Sequence, residues 1–389
     1  MKIDPDIRKT VSLEFSKLAS EKNKRGEKII SLGLGEPGFE TPLPIIEATY
    51  DALKDGYTKY SNPLGLIELR ELIRDKLLKE NQIKASIDNI IVTPGAKQAL
   101  SLALMALLEP YDEVINFTPC YVSYVPQIKI AEPTAVIRNI DLKREDFSLD
   151  WVQLEENICN KTKLIILNFP HNPTGKMLSK QDIKQLVQIV EKYGLYVISD
   201  EIYEMLNLSD IPNYSVGAIE SIKEKVVTIN GFSKAFAMTG WRIGYLVADT
   251  DTVKIVSMIQ QHTNTNTCTF VQKGACAAFA LNKDFIDTYK MELSEKVSFM
   301  VDVLGTDKGL QLNPPQGGLF AFLNISNTNM SSDTFSSKLL MEEGVATTPG
   351  IVFGKNWDDH IRISLATEKD EFKKGIKLVN QFAKEVVEI

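Results

Sequence analysis

Short apolar runs rich in β-branched residues alternate along the chain with longer stretches in which apolar positions recur every three or four residues. NIIVT (89–93) leads into KQALSLALMALL. DEVINF (112–117) follows, then TKLIILNF (162–169) with SKQDIKQLVQIVEKYG behind it. LYVISD (195–200), EKVVTING (224–231) and RIGYLVA (242–248) continue the rhythm. Such alternation predicts an α/β domain with a mostly parallel sheet between helices, and strands apolar on both faces fit a sheet covered on both sides. From about residue 283 the pattern changes to one long amphipathic helix, DFIDTYKMELSEKVSFMVDVL, then separated strands GGLFAFLNI, GVATTPG and HIRISLAT, and a closing helix. The chain has 389 residues, more than one core usually supports. A large domain over 45–282 is therefore expected, with 1–44 and 283–389 forming a smaller α+β domain.

Composition narrows the function classes. Hydrophobic residues make up 44% and charged residues 24%, the balance of an ordinary globular chain, and the net charge of -7 argues against a phosphate-gripping nucleic-acid partner. Any local positive charge then needs a local reason. Cys120, Cys159, Cys268 and Cys276 lack CxxC spacing and read as free thiols of a reducing compartment. The opening residues hold no apolar core of signal-peptide length, and no later run is long enough to span a bilayer, so a cytoplasmic protein with no membrane association is expected. The charge run KNKRGEK (22–28) reads as a solvated helix end.

The chemistry concentrates in GFSKAFAMTGWRIGY (231–245), where Lys234 and Arg242 share a neighbourhood and would repel unless one loses its charge or an anion lies between them. VTPGAKQALSL (92–102) passes from strand to helix through Gly95, which points the amides of Ala96 and Lys97 at an anion. Arg242 offers a planar fork to the same anion, and Ser233 and Tyr60 offer hydroxyls. Lys234 on a desolvated turn would lose its proton and become a nucleophile toward carbonyls. Asp200 ends a strand where open α/β sheets place ligands, Asn172 lies in the proline-bounded turn of NFPHNPTG, and Tyr121 follows a strand with a ring free to stack. GLGEPG (33–38) fits a dinucleotide fingerprint literally, but Pro37, Pro42 and Pro44 delay any helix to about Leu43. Gly35 is read instead as backbone that can approach a small ligand. Asp200, Glu201 and Glu204 would be a lone acidic cluster, and His171, His262 and His360 lack ligand spacing, so no metal site is expected.

Taken together, GEPGF-TP, YTKYSNPLG, GAKQAL, NPTG, DEIYE, SKAFAMTGWRIGY and HIRIS resemble the pyridoxal-phosphate aminotransferases of fold type I, class I/II, in the subgroup with many bacterial aspartate aminotransferases. The resemblance runs from Gly35 to Arg362. It implies pyridoxal 5'-phosphate as cofactor, with Lys234 as covalent anchor and general base, and Asp200 paired to the ring nitrogen. Tyr203 and Asn172 would hold the phenolic oxygen, and Tyr121 would stack on the ring. Gly95, Ala96, Lys97, Ser233, Arg242 and, from a second subunit, Tyr60 would bind the phosphate. Arg362 would clamp the substrate carboxylate with Asn172, Tyr121 and Gly35. A homodimer with shared sites follows, acting on an amino acid and a 2-oxo acid such as 2-oxoglutarate.

Three departures from the family pattern stand out. His171 precedes Asn172, Gly231 stands where several relatives carry serine, and QHTNTNTCTF (261–270) has no arginine for a second substrate carboxylate, leaving Lys97 to supply that charge. An aromatic transaminase or a C–S β-lyase on the same scaffold is the alternative.

Overall fold

The computed structural model describes residue 26, residues 28–305 and residues 309–387; most of KNKRGEK and of the expected 1–44 segment lies outside them. The large sheet contains β1 (Ile90–Thr93), β2 (Glu113–Thr118), β3 (Val136–Asp141), β4 (Thr162–Asn168), β5 (Tyr196–Asp200), β6 (Val226–Gly231) and β7 (Gly244–Val247), in the spatial order β1-β7-β6-β5-β4-β2-β3. The pairs β2–β3, β2–β4, β4–β5 and β5–β6 are parallel, whereas β7 runs antiparallel to both β6 and β1. Strands β1, β2, β6 and β7 are buried almost throughout, as their largely apolar, β-branched runs predict. The edge strand β3, VIRNID, is largely exposed, and its mixed polar pattern kept it out of the sequence reading.

Helices α1 (Leu43–Lys54), α2 (Ile67–Lys76), α3 (Ala96–Leu107) and α4 (Lys180–Tyr193) belong to this half. The boundaries of α4 follow from its chemistry: Ser179 and Asp182 form a reciprocal capping box, and Gly194 ends the helix at φ 67°. Helix α2 does not stop cleanly but passes into one π-helical turn over Leu77–Asn81.

Helix α5 (Asp284–Leu304) opens the remaining part, where β8 (Phe320–Asn324) and β9 (His360–Ser364) pair antiparallel and α6 (Lys369–Val387) packs against α5. GVATTPG forms two short strands rather than one, Val345–Ala346 and Thr348–Pro349. They join different neighbours. Val345–Ala346 pairs in parallel with Ile30–Ser31, which carries the strap leading to Gly33 and Gly35, and Thr348 pairs with Arg362. The strap is thereby fixed beside the strand that bears Arg362, and Ser364 donates its amide to the Leu32 carbonyl at 2.7 Å. Among the described residues no helix is long and apolar enough to cross a membrane.

Candidate functional site

Parallel strands deliver their C-terminal ends to one edge of a sheet, and the loops leaving that edge carry the chemistry. Here β5 ends in Asp200, β4 leads to the turn holding Asn172, and β6 leads to Ser233 and Lys234. The reversed strand β7 contributes its start instead. Its pairing sets Gly244 opposite both Thr93 of β1 and Gly231 of β6, which brings Arg242 to the N-terminus of α3. Arg242 itself lies just before the strand at φ 54° rather than within it.

At that junction Gly95 precedes α3 with φ 84° and ψ 161°, a conformation essentially reserved for glycine. A Cβ on Gly95 would lie 2.6 Å from Arg242 Nη2, and one on Gly244 would lie 2.5 Å from the Ala96 amide nitrogen. Two bare backbone positions thus let a guanidinium and a helix N-terminus share one small cradle. Gly231 is equally cramped: a Cβ there would come 2.9 Å from Gly244 Cα, so a side chain would force the paired backbone to shift. Ser233 is buried next to the cradle on the same loop. Lys97 is exposed, with Nζ 5.7 Å from the centroid of the Tyr121 ring.

Lys234 Nζ donates to the Gly35 carbonyl at 2.6 Å. Burial lowers its pKa to about 8; Glu36 and Asp200 oppose the shift, and Arg362 and Arg242 assist it. Asp200 is buried as well, accepting from the Tyr124 hydroxyl at 2.8 Å and the Ile202 amide at 3.3 Å. Burial pushes its carboxyl up to about 6 against those two bonds. Tyr203 is held well above the usual phenol range by burial, with the Asn172 side chain hydrogen-bonded to it.

Arg362 completes the arrangement. Its Nη1 donates to Asn172 Oδ1 at 3.2 Å and its Nη2 to the Gly33 carbonyl at 3.1 Å, while the guanidinium sits 4.0 Å from the Phe320 ring centroid and 5.0 Å from that of Phe353. Burial lowers its pKa to about 10, and its Nε is buried without a partner.

The structure therefore brings together Gly35, Asn172, Asp200, Tyr203, Lys234 and Arg362, with Gly95, Ala96, Ser233 and Arg242 forming the anion cradle. Tyr60 is 86% exposed. Sequence reasoning missed Tyr124, three residues beyond Tyr121 and the direct partner of Asp200. It also missed Phe320 and Phe353, the aromatic faces around Arg362; nothing in the local sequence signals either contact.

These groups fit pyridoxal phosphate: an amine of lowered basicity for an aldehyde, a glycine-lined cradle for a phosphate, and a buried carboxylate short of a cation for a pyridinium. Fold and site together describe an enzyme of carbonyl-cofactor chemistry. Comparison with known proteins makes this specific. Residues 27–378 match the family described as aminotransferase class I and II. The chain is 37% identical to the aspartate aminotransferase of Pyrococcus horikoshii, covering 94% of this chain and 92% of that one. It is 34% identical to the aromatic-amino-acid aminotransferase 2 of Thermococcus litoralis, covering 92% of each. The solved aspartate aminotransferase of Thermotoga maritima superposes with a TM-score of 0.90 at 33% identity, covering 98% of this chain and all of that one (100%). The chain belongs to the class I and II aminotransferases, and it is a pyridoxal-phosphate-dependent transaminase of fold type I.

Proposed function

We propose that this transaminase moves the amino group of a dicarboxylic amino acid, aspartate, to 2-oxoglutarate, with Lys234 as its central residue. The observation that carries the residue assignment is the Lys234 amine, lowered to about 8 and enclosed among Gly35, Asp200, Arg242 and Arg362. Pyridoxal phosphate, when bound, supplies an aldehyde carbon and a ring that takes up the electron pair left at the substrate's α-carbon.

The protein's own residues do the rest. Lys234 Nζ would be the covalent anchor for the cofactor and the base that holds the substrate's α-proton. Asp200 would keep the ring nitrogen protonated by charge, with Tyr124 fixing the direction of that carboxylate. Tyr203 and Asn172 would hold the phenolic oxygen; with Asn172 Oδ1 occupied by Arg362, its amide nitrogen remains the donor. Tyr121 would stack on the ring, and Gly95, Ala96, Lys97, Ser233 and Arg242 would hold the phosphate. Arg362 takes the substrate α-carboxylate as a two-pronged pair, oriented by Asn172 and the aromatic faces.

The exposed Lys97 ammonium beside Tyr121 supports a second-carboxylate contact, and relatives named aspartate aminotransferase support that donor. An aromatic donor is the second reading, favoured by the arginine-free segment 261–270 and by the relative from Thermococcus litoralis. Tyr60 is highly exposed, and α1 exposes Leu43, Ile46, Tyr50 and Leu53 at helical spacing; both support a homodimer in which Tyr60 reaches the partner's phosphate.

The test is a single-turnover screen, mixing the holoenzyme with one amino acid at a time and following conversion to the pyridoxamine form. Stoichiometric conversion with aspartate is expected, lost in Lys97→Ala, while phenylalanine conversion is kept. Release of pyruvate and ammonia from cystathionine, with no conversion by any amino acid, would overturn transamination by this site.

A further inference from the structure

The segment that leaves β5 has two sides. Asp200 and Tyr203 face the candidate site, while Glu201 and Glu204, from the same stretch, belong to a buried polar pocket behind it. Glu201 accepts from Ser199 Oγ at 2.8 Å and from Ser215 Oγ at 2.6 Å. Glu204 meets Lys76 in an ion pair whose side chains are only 9% and 10% exposed, and it also accepts from Asn81 Nδ2. Lys76 Nζ in turn donates to Asn81 Oδ1 at 2.7 Å, closing a triangle.

The π-helical turn makes that triangle possible. In an α-helix, positions five apart point in different directions, whereas the wider π turn brings them nearer one face, and here Lys76 immediately precedes the turn that Asn81 closes. Such turns are uncommon and recur beside functional sites. A buried ion pair is also poor stabilising material, because desolvating both charges offsets most of their attraction; its best-attested service is to fix a register. Burial works against the Lys76 ammonium, yet Glu204 holds it charged, and burial together with Glu204 pushes the Glu201 carboxyl up to about 7. One ammonium is thus matched to one carboxylate.

We infer that Lys76, Asn81 and Glu204 are positioning residues, a buried tie between the end of α2 and the backbone that aims Asp200 and Tyr203 at the cofactor ring. The inference rests on the reading of Asp200 and Tyr203 given above. Glu204 sits one residue after Tyr203, its amide bonds the Glu201 carbonyl at 3.0 Å, and the Leu206 amide bonds the Tyr203 carbonyl at 2.8 Å, so a shift of Glu204 moves Tyr203 directly.

The test uses the double variant K76M/E204Q, which strands no buried charge and is expected to keep the fold, with E204Q alongside it. Two readouts besides turnover are followed: the dissociation constant for pyridoxal phosphate, and the pH midpoint of the bound cofactor's absorption. The tie predicts about three- to tenfold weaker cofactor binding and a displaced midpoint in the double variant, since both depend on how Asp200 and Tyr203 are held. Wild-type values for both, whatever happens to the melting temperature, would overturn it and leave the triangle a packing feature. Asp200→Asn serves as control. If it too leaves the midpoint unmoved, the reading of Asp200 fails and takes this inference with it; if it moves the midpoint while K76M/E204Q does not, only the tie fails.

Discussion

Replacing Arg362 with lysine keeps a positive charge near the same place and removes the fork. Arg362 spends Nη1 on Asn172 and Nη2 on Gly33 and Thr348, leaves a buried Nε unpartnered, and holds its guanidinium 4.0 Å from the Phe320 ring centroid. A lysine ammonium cannot present two parallel donors to a carboxylate and stacks less well on an aromatic face. Losing one charge-assisted hydrogen bond costs about 1.5–3 kcal/mol, and the weakened cation–π contact adds about 0.5–1 kcal/mol. The sum, about 2–4 kcal/mol, corresponds to a fall in kcat/KM for amino acids of roughly 30- to 1,000-fold. Because the contact belongs to the substrate, the loss should appear mainly in KM, with cofactor affinity within about twofold of wild type. Stopped-flow half-reactions across a range of amino-acid concentrations measure the first, and titration of the apoprotein with pyridoxal phosphate measures the second. A loss of less than about threefold, or a matching loss of cofactor affinity, would refute the assignment of Arg362 to the substrate carboxylate.

Other expectations follow from the same site. Lys234→Ala should abolish turnover while pyridoxal phosphate still binds through its phosphate and ring, so a purified variant that retains transamination would contradict the anchor role. The Lys234 amine is protonated and inert below its pKa of about 8 and nucleophilic above it, so the rate at which apoprotein takes up the cofactor should rise through pH 8 and then level; a flat profile argues against Lys234. Gly95→Ala places a Cβ 2.6 Å from Arg242 Nη2 in a backbone conformation that alanine avoids, and should cost about 1–3 kcal/mol of stability together with a measurable loss of phosphate-dependent cofactor binding. Tyr60→Phe should weaken cofactor binding in the associated enzyme alone, which sedimentation at matched concentrations would reveal.

How much of this was legible in advance depends on where the information lies. The sheet interior was readable because β1, β2, β6 and β7 are buried on both faces and so carry largely apolar, β-branched runs, and α5 was readable from end to end because its apolar stripe persists at one period. Strand β3 was missed because an exposed edge has no such run. Asp200, Asn172, Ser233 and Lys234 were legible because they sit at or just beyond strand ends, in turns whose residue types already constrain the backbone, whereas Arg362, inside β9, was legible only through the family resemblance. Tyr124 and the Lys76–Glu204 pair escaped because each meets its partner across a long stretch of chain, at separations of 76 and 128 positions, and local pattern carries nothing about such meetings. Gly231 shows the converse. Sequence alone marked it as a departure from the family pattern, and the structure adds that a Cβ there would lie 2.9 Å from Gly244 Cα.

The reversal of β7 reaches beyond topology. Because Gly231 and Gly244 pair at its root, residues 232–243 form a closed excursion that leaves and re-enters the sheet at one point, bearing both Lys234 and Arg242. A single proteolytic nick inside that excursion would uncouple the two grips at once while sparing every strand beneath, so resistance to limited digestion should track saturation with the vitamin far more closely than it tracks global unfolding.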